Sequence, residues 1–247
     1  MTLRKANIIA DLQADILRLQ GFERNVENPM DVGLGPIQQA FPNASFPRGS
    51  VHEFLTSAEN SAPTSGFIAG LLSSLMGKNG AVVWISRERP LFPPALKIFG
   101  LQPDRIIFIN LRQEKEVGWA LDEALKCGAL SAVVGEVQEI SFNATRRLQL
   151  AVEQSQVTGF VLRKDSTHQK TSACVSRWRI ISLPSISKSE EKHLDFPGIG
   201  FPTWRVELLR IKNGKPGVWD IRWIAGKFEV MSRQEIPVLK SSQRNSA

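Results

Sequence analysis

The sequence lacks most of the features that mark secreted, membrane-spanning or metal-binding proteins. Its two cysteines, Cys127 and Cys174, cannot form a disulfide framework and lie in no CxxC motif, which predicts a reducing, cytoplasmic setting. No apolar run reaches the roughly 18 residues that a membrane helix needs, and residues 1–13 lack the apolar segment of a signal peptide. The three histidines, His52, His168 and His193, show no metal-ligand spacing. Tyrosine is absent altogether, and no functional conclusion follows from that.

Basic residues are concentrated in the last third of the chain. The 247 residues include 31 Lys and Arg against 24 Asp and Glu, a formal net charge of +7. Residues 1–159 hold 15 basic and 16 acidic residues, whereas residues 160–247 hold 16 and 8. Such an excess is typical of a surface for nucleic acid or an acidic partner, but also of an ordinary solvated surface, and both interpretations stay open.

The chain is organised around residues 46–72, whose pattern predicts a turn, a buried strand, a polar loop and a helix. Pro47 and Gly49 supply the turn, and residues 51–55 are a short apolar run of strand formers. Small and polar residues fill 56–65, and a helix is predicted over 66–76. A loop between a strand and a helix N-terminus is the geometry that cradles phosphates in nucleotide-binding folds.

The chemistry of phosphate binding is missing from this loop. A working loop has the pattern GxxxxGK[ST], in which the lysine neutralises phosphate charge and the hydroxyl holds magnesium. No lysine lies between Arg48 and Lys78, and Pro63 removes one backbone N–H donor. The sequence therefore predicts the frame of a nucleotide-binding fold without its phosphate clamp.

Predicted strands and helices alternate through the middle of the chain. The strands are predicted over 51–55, 81–85, 105–111, 132–137 and 158–163, and the helices over 66–76, 93–99, 114–127 and 143–156. This alternation favours an α/β fold with a mostly parallel, twisted sheet and helices on both faces.

The pattern changes after residue 164. A strand over 176–183 precedes a charged, proline-containing insertion over 184–200, which we expect on the surface. Two strands, 204–212 and 218–225, flank the turn sequence NGKPG, which predicts an antiparallel hairpin at the end of the sheet. A last short strand is expected over 228–231.

Both ends of the chain are expected to lie outside the core. Residues 3–20 form a predicted helix with one apolar face, which suits packing on its own core or on another subunit. Residues 23–44 are interpreted as a linker with a short helix near Ile37, and the tail as disordered. The predicted helix and linker, core and tail occupy residues 1–45, 46–231 and 232–247.

Several sequence blocks between residues 46 and 223 carry a resemblance to known proteins. They are PRGSVHEF after Phe46, the segments 119–137, 146–163 and 204–223, and the pair Arg177-Trp178. The first block, followed by a strand, loop and helix, resembles the entry to the core of RecA-type recombinases. The others, in the same order, resemble the ImuA family, the RecA-like accessory proteins of bacterial mutagenic DNA repair. More distantly, they resemble the cell-division inhibitor SulA.

The resemblance implies a RecA-like core and a non-enzymatic adaptor or regulator in the SOS-type response to DNA damage and in error-prone translesion synthesis. The implied partner is ImuB, a catalytically inactive relative of Y-family polymerases, beside an error-prone DNA polymerase III α subunit. RecA itself and single-stranded DNA are further implied partners. The N-terminal helix would allow self-association, as the corresponding helix does in recombinase filaments.

The resemblance also places the nucleotide motifs, and most are altered. Thr56 and Ser61 replace the two glycines of the phosphate loop, Ala62 replaces its lysine and Pro63 its hydroxyl residue. We therefore expect neither a bound cofactor, nor catalytic residues, nor ATPase activity.

Two glutamates fall at or near the remaining nucleotide motifs. The Walker B strand should end in Asp but here ends in Gly135, with Glu136 one residue later in a Gly-Glu pair typical of ImuA-like sequences. Glu88 matches the recombinase catalytic glutamate. Without a phosphate clamp, we interpret both glutamates as structural or interface residues.

The segment 164–175 matches the second DNA-binding loop of recombinases but is shorter. Arg163, Lys164, Lys170 and Arg177 are the candidate DNA-binding residues, because cations beside an aromatic ring suit single-stranded DNA. The neighbouring Trp178 either stacks on bases or belongs to the core, and the alternation of residues 177–180 favours the core.

Trp119 and Glu123 lie four residues apart, and therefore on one face of a predicted helix. Tryptophan is common in binding hot spots, so Trp119 is a candidate interface residue with Glu123, Glu136 and Trp178. A core position is the competing interpretation, and we expect it for Trp119.

Two other functions remain open at the level of sequence. One is a SulA-like inhibitor of cell division, although SulA-type chains lack the long N-terminal region and the extended hairpin found here. The other is a weak DNA-dependent ATPase with an unusual nucleotide loop.

Overall fold

The structure, a computed structural model, describes Leu12 and residues 32–77, 80–88, 91–164, 171–185 and 200–231. Nine strands form one sheet: β1 (Val51–Thr56), β2 (Val82–Ser86), β3 (Ile106–Asn110), β4 (Ala132–Val137), β5 (Thr158–Lys164), β6 (Ser176–Leu183), β7 (Thr203–Ile211), β8 (Gly217–Ile224) and β9 (Lys227–Val230). Among the described residues from 32 onward, three α-helices accompany them: α1 (Ser61–Leu75), α2 (Glu114–Leu125) and α3 (Phe142–Ser155). Within these described ranges, no helix combines the length and the apolar character needed to cross a membrane.

The strand order is β3-β2-β4-β5-β1-β6-β7-β8-β9, so β1 lies in the middle of the sheet. The first six strands in this order pair in parallel, and β6 to β9 pair antiparallel. The predicted mixed α/β sheet, mostly parallel and ending in antiparallel strands, is confirmed. The antiparallel part is larger than one hairpin, because β6 and β9 extend it on both sides.

Helices cover both faces of the sheet, as predicted. On one face α1 and the 3-10 helix Pro93–Phe99 pack in a core built around Phe54, Phe67 and Trp178. On the other face α2 and α3 pack in a second core that includes Val117, Leu121 and Leu148. Since both faces of the parallel strands are buried, the sequence of β1 is a nearly continuous apolar run.

Two polar side chains, His52 and Glu53, interrupt that run in β1. The first, His52, is fully buried, and its Nε2 lies 2.7 Å from the carbonyl oxygen of Pro47. Its Nδ1 lies 2.6 Å from the hydroxyl of Ser176, which also accepts the indole N–H of Trp178 at 2.6 Å. A neutral ring that donates from Nε2 and accepts at Nδ1 satisfies every member of this chain. Burial accordingly lowers the pKa of His52 to about 4.

Two boundaries differ from the sequence-based expectation. The helix α1 begins at Ser61 rather than residue 66, so half of the predicted polar loop is helical. Proline is tolerated in a first helical turn, where its missing N–H has no intrahelical partner, and Pro63 therefore does not delay the helix.

The segment interpreted as a linker also differs. Val32, Leu34, Ile37 and Phe41 are buried in the same core as Trp178, so residues 32–44 pack onto the sheet instead of connecting two units. The predicted short helix near Ile37 is present as a 3-10 helix, Gly35–Ala40. Of the predicted N-terminal helix only Leu12 is described; it is helical and 55% exposed. The predicted tail lies outside the described residues.

Candidate functional site at the carboxyl edge of the parallel strands

The loop from β1 to α1 is held together by its own side chains. The Thr64 hydroxyl lies 2.6 Å from the carbonyl oxygen of Asn60, to which it donates, and 3.2 Å from the hydroxyl of Thr56. Asn60 donates from Nδ2 to the Ser57 hydroxyl at 3.1 Å and accepts at Oδ1 from the backbone N–H of Ser182 at 3.2 Å. These bonds tie the loop to the start of α1 and to β6. The positions that correspond to the lysine and hydroxyl of a phosphate loop, Ala62 and Pro63, lie in the first turn of α1.

A cleft of about 700 Å³ opens beside this loop, where β1, β2, β4 and β5 end. In parallel α/β sheets ligands bind at this edge. Thr56, Ser61 and Ala62 line one side of the cleft, and an apolar wall between Leu91 and Phe99 lines another. The charged residues that line it, within the part of the chain that the structure describes, are Arg87, Glu88, Glu114, Glu136 and Lys164.

Glu136 reaches the cleft because it lies one residue beyond the expected acidic position of β4. The Cβ of an alanine at position 135 would lie 2.8 Å from Leu121 Cδ2, so the face toward α2 has no room for the usual aspartate. Glu136 points to the opposite face and accepts a 2.7 Å hydrogen bond from the indole N–H of Trp84. Burial raises the pKa of Glu136, the Trp84 hydrogen bond opposes that rise, and the charge of Glu88 adds to it.

Glu114 is a third carboxylate in the cleft, and sequence reasoning did not select it. It is the first residue of α2, and its Oε1 accepts the backbone N–H of Gln138 at 2.6 Å. Its Oε2 is buried and meets no hydrogen-bond donor among the described residues. An acidic residue in the first turn of a helix was the available signal, but that signal also fits ordinary helix stabilisation.

Two of the four candidate DNA-binding residues, Arg163 and Arg177, are buried. Arg163 and Arg177 are 2% and 7% exposed, and their Nε atoms lie 2.8 Å and 2.6 Å from the two oxygens of Glu53. The Ser172 hydroxyl donates to the same carboxylate at 3.0 Å. Parallel strands β5, β1 and β6 lie side by side, so the three charged side chains meet on one face of the sheet. These arginines hold the base of the loop that joins β5 to β6 and have no free face for a phosphate.

The rest of that loop is only partly described. Lys164 is exposed at the end of β5, whereas Lys170 and His168 lie outside the described residues. In the part of the loop described from residue 171 onward, the carbonyl oxygens of Ser172 and Cys174 accept hydrogen bonds from Arg210 of β7 at 2.9 Å and 2.6 Å. The returning end of the loop is thus fixed to the antiparallel part of the sheet.

The two tryptophan candidates lie in opposite environments. Trp178 is fully buried and stacks on Phe54 with ring centroids 5.9 Å apart, which confirms the core interpretation. Trp119 is 66% exposed on α2, so the expectation of a core position was wrong. Val117 and Leu121 take the buried face of this amphipathic helix and leave Trp119 on the opposite side. Glu123 on the same outer surface pairs with Lys126 at 2.7 Å.

Part of the basic excess in the last third of the chain is paired on the antiparallel strands. Arg205 of β7 forms a bidentate salt bridge with Asp220 of β8, with N–O distances of 2.8 and 2.9 Å. Two further arginines of this region, Arg179 and Arg222, lie 3.3 Å and 3.1 Å from glutamate oxygens. These pairs leave less free positive charge on the β6–β9 surface than the composition suggests.

Comparison with known proteins identifies the family of this chain. Protein ImuA of Caulobacter vibrioides is 34% identical over 206 residues, which are 78% of this chain and 82% of the relative. This chain belongs to the ImuA family. No protein-family model matches the sequence.

Cell division inhibitors named SulA are more distant relatives of this ImuA-family chain. The protein from Photorhabdus laumondii is 30% identical over 105 residues, 42% of this chain and 59% of the relative. A crystal structure of SulA from Pseudomonas aeruginosa aligns with a TM-score of 0.40 at 21% identity, covering 48% of this chain and all of that one.

Sequence reasoning about this ImuA-family chain missed one more site residue, Glu53. The available signal was a carboxylate in the buried strand VHEFL together with basic residues at two later strands. Which basic residues meet it depends on β5 and β6 flanking β1, and that order could not be read from spacing alone.

Proposed function

We propose that this chain is a non-enzymatic adaptor with a RecA-like core in the damage-induced mutagenesis pathway. Membership of the ImuA family supports the pathway. The strand-loop-helix unit beside a cleft at the carboxyl edge of a parallel sheet supports the RecA-like core. The observation that carries the proposal is the loop from β1 to α1, which has no lysine and is tied by the Thr64 and Asn60 contacts.

The lining of the cleft also disfavours nucleotide phosphates. Glu88, Glu114 and Glu136 would face the anionic phosphates, and the lysine that normally compensates that charge is missing. The N-terminus of α1 supplies only the partial charge of a helix end, with one N–H fewer because of Pro63. We therefore expect no ATPase activity, which also disfavours the alternative of a weak DNA-dependent ATPase.

We propose an ImuB-type inactive Y-family polymerase as the protein partner, beside an error-prone DNA polymerase III α subunit. Trp119 is the candidate anchor on this chain, because a large exposed aromatic side chain loses much apolar area to a partner. RecA and self-association through the N-terminal helix remain further proposals. The core would begin near residue 32, not residue 46, since Val32, Leu34, Ile37, Ala40 and Phe41 are buried in it.

A pull-down with an ImuB-type protein tests the adaptor proposal. We expect the full chain to retain the partner, and Trp119→Ala to retain much less, with Phe142→Ala on the neighbouring helix α3 as the control for an exposed aromatic residue. Repeating it after removal of residues 232–247, and then of loop 164–175, would locate the contact further. Failure of the intact, folded chain to retain the partner would refute the adaptor role.

Direct binding of single-stranded DNA is a separate proposal, supported now by Lys164 and by Lys170 outside the described residues. Cationic contacts to phosphates release counterions, so the affinity should fall steeply with salt. We expect Lys164→Ala and Lys170→Ala to lower the affinity and the salt dependence together. An affinity insensitive to salt and to both changes would remove DNA from the list of partners.

A SulA-like inhibition of cell division is the second candidate function, favoured by the sequence similarity to SulA over 105 residues. Overexpression separates the two functions. Cells that continue to septate and survive would support the mutagenesis role, and filamentous cells would support inhibition of division.

A further inference from the structure

The cleft beside the β1–α1 loop remains open although we propose that no nucleotide occupies it. Its volume, about 700 Å³, is in the range of sites that bury a compact ligand. Its lining is divided into an apolar wall and an acidic end, and this division indicates the chemistry of an occupant.

The apolar wall lies between Leu91 and Phe99, in the connection from β2 to β3. Leu91, Phe92, Leu96 and Phe99 line the cleft, and Phe92 is 70% exposed at its mouth. Phe99 lies so close to α1 that a Cβ at Gly66 would be 2.9 Å from its ring, so glycine at that position lets the wall pack against the helix. An exposed phenylalanine at the mouth of a cleft is a ready apolar contact for a second molecule.

The acidic end lies around β2, β4 and α2. Glu88 and Glu136 both line the cleft, and the charge of Glu88 contributes to raising the pKa of Glu136. Glu114 adds a buried oxygen that meets no donor among the described residues. Among the described residues, no three histidine, cysteine or carboxylate side chains converge as a metal site. A cation that can also donate hydrogen bonds is therefore the group that this end lacks.

Among the described residues two cations also line the cleft, and neither forms an ion pair with Glu88, Glu114 or Glu136. Arg87 donates from Nε to the carbonyl oxygen of Arg112 at 3.3 Å. Lys164 lies on β5 two residues beyond Leu162, the register partner of Glu136, whereas Glu88 follows β2 on the far side of β4. Among the described residues, the lining thus holds three carboxylates against two cations.

We infer that this cleft binds an arginine side chain, presented between apolar residues by an extended segment of a protein partner. Its planar guanidinium can donate to Glu88 and Glu136 at once, which a lysine ammonium does less well. The stem and the flanking apolar residues pack on the wall, where Phe92 can also contact the guanidinium face. The inference rests on the proposed function in one respect, namely that no nucleotide fills the cleft.

A labelled pentapeptide, acetyl-Ala-Leu-Arg-Phe-Ala-amide, is a suitable probe for titration by fluorescence polarisation into the intact chain. We expect saturable binding, and an affinity at least about tenfold lower when citrulline, which is uncharged and of the same shape, replaces arginine. Glu136→Gln and Glu88→Gln should each cause a similar loss. The amide introduced by Glu136→Gln keeps an oxygen for the Trp84 N–H, so the fold should survive. The control Glu153→Gln, at an exposed position on α3, should change the affinity by less than about twofold.

The outcomes separate this inference from the proposed function. Equal binding of the arginine and citrulline peptides, or of wild type and Glu136→Gln, would overturn the inference while leaving the adaptor role intact. Displacement of the peptide by magnesium-ATP would instead contradict the absence of nucleotide binding on which the adaptor proposal rests. Binding only to a chain shortened by residues 232–247 would assign the cleft to this chain's own tail and overturn the partner.

Discussion

At the scale of single residues, buried polar groups around β1 fix how the sheet is held together. Glu53 balances two arginines from the strands on either side, and His52 links the turn before β1 to Ser176 of β6. The sequence shows that polar residues occur in a buried strand, but not which partners satisfy them. Ser176, Arg163 and Arg177 are more than 100 positions away from β1 along the chain.

Removing the charge of Glu53 should destabilise the fold strongly. Glu53→Gln leaves Arg163 and Arg177 buried beside a neutral group, and breaking such a buried pair costs about 3–5 kcal/mol in the free energy of unfolding. Urea unfolding measures the loss. The control Glu207→Gln breaks the part-exposed pair with Arg179 and should cost less than about 1 kcal/mol. Similar losses for the two variants would contradict the assigned role of Glu53.

The buried His52 should make the fold sensitive to mild acid. Its pKa is about 4 in the folded chain against 6.5 in the unfolded chain, so below pH 6.5 the unfolded state binds the proton more readily. The contribution of neutral His52 is complete above pH 6.5 and is lost as the pH falls toward 4. The free energy of unfolding should therefore drop by about 2 kcal/mol between pH 7 and pH 5.

Urea unfolding at those two pH values, compared with His52→Gln, measures this contribution. The variant has no titrating group at position 52. Between pH 7 and pH 5 its free energy of unfolding should therefore fall by about 2 kcal/mol less than that of the wild type. An identical change with pH in both proteins would show that other groups cause it.

At the scale of elements, the helices show which boundaries local sequence can predict. The strands β4 and β6 and the start of α2 agree with the sequence-based prediction, because apolar periodicity and turn residues delimit them. The start of α1 does not, because its first turn is made of small polar residues that fit a loop equally well. The packing of residues 32–44 was also missed, since glycine and proline suggest a linker and only tertiary contacts show otherwise.

Two glycines in helices should respond to substitution by alanine with changes of opposite sign in the free energy of unfolding. A Cβ at Gly70 of α1 would lie 2.5 Å from the Phe228 ring and 2.9 Å from the Trp223 ring, whereas a Cβ at Gly118 of α2 meets nothing within 4 Å. Gly118→Ala should raise the free energy of unfolding by about 0.5–1 kcal/mol through helix propensity alone. Gly70→Ala should lower it by about 1–2 kcal/mol, because the clash with two packed rings exceeds that gain. Thermal unfolding of both variants is the measurement, and stabilisation by Gly70→Ala would contradict the packing of β8 and β9 on α1.

At the scale of the whole molecule, alternation of strands and helices was enough to predict a mostly parallel α/β sheet, and NGKPG was enough to predict the hairpin β7–β8. The sequence could not predict that β6 pairs in parallel with β1 and antiparallel with β7, which joins the two halves into one sheet. For the candidate site, the absence of a lysine from residues 56–66 was readable from the sequence, and the loss of the phosphate clamp is proposed from it. The cleft's acidic end was only partly readable, because Glu88, Glu114 and Glu136 come from separate elements that only the fold brings together.

The central claim is that this ImuA-family chain keeps a nucleotide-binding frame without nucleotide chemistry. Calorimetric titration of magnesium-ATP into the purified chain, with and without single-stranded DNA, tests it most directly. We predict no saturable heat, and no ATP turnover that Glu88→Gln abolishes. Saturable, magnesium-dependent binding together with turnover lost in Glu88→Gln would contradict the claim and make the chain an ATPase.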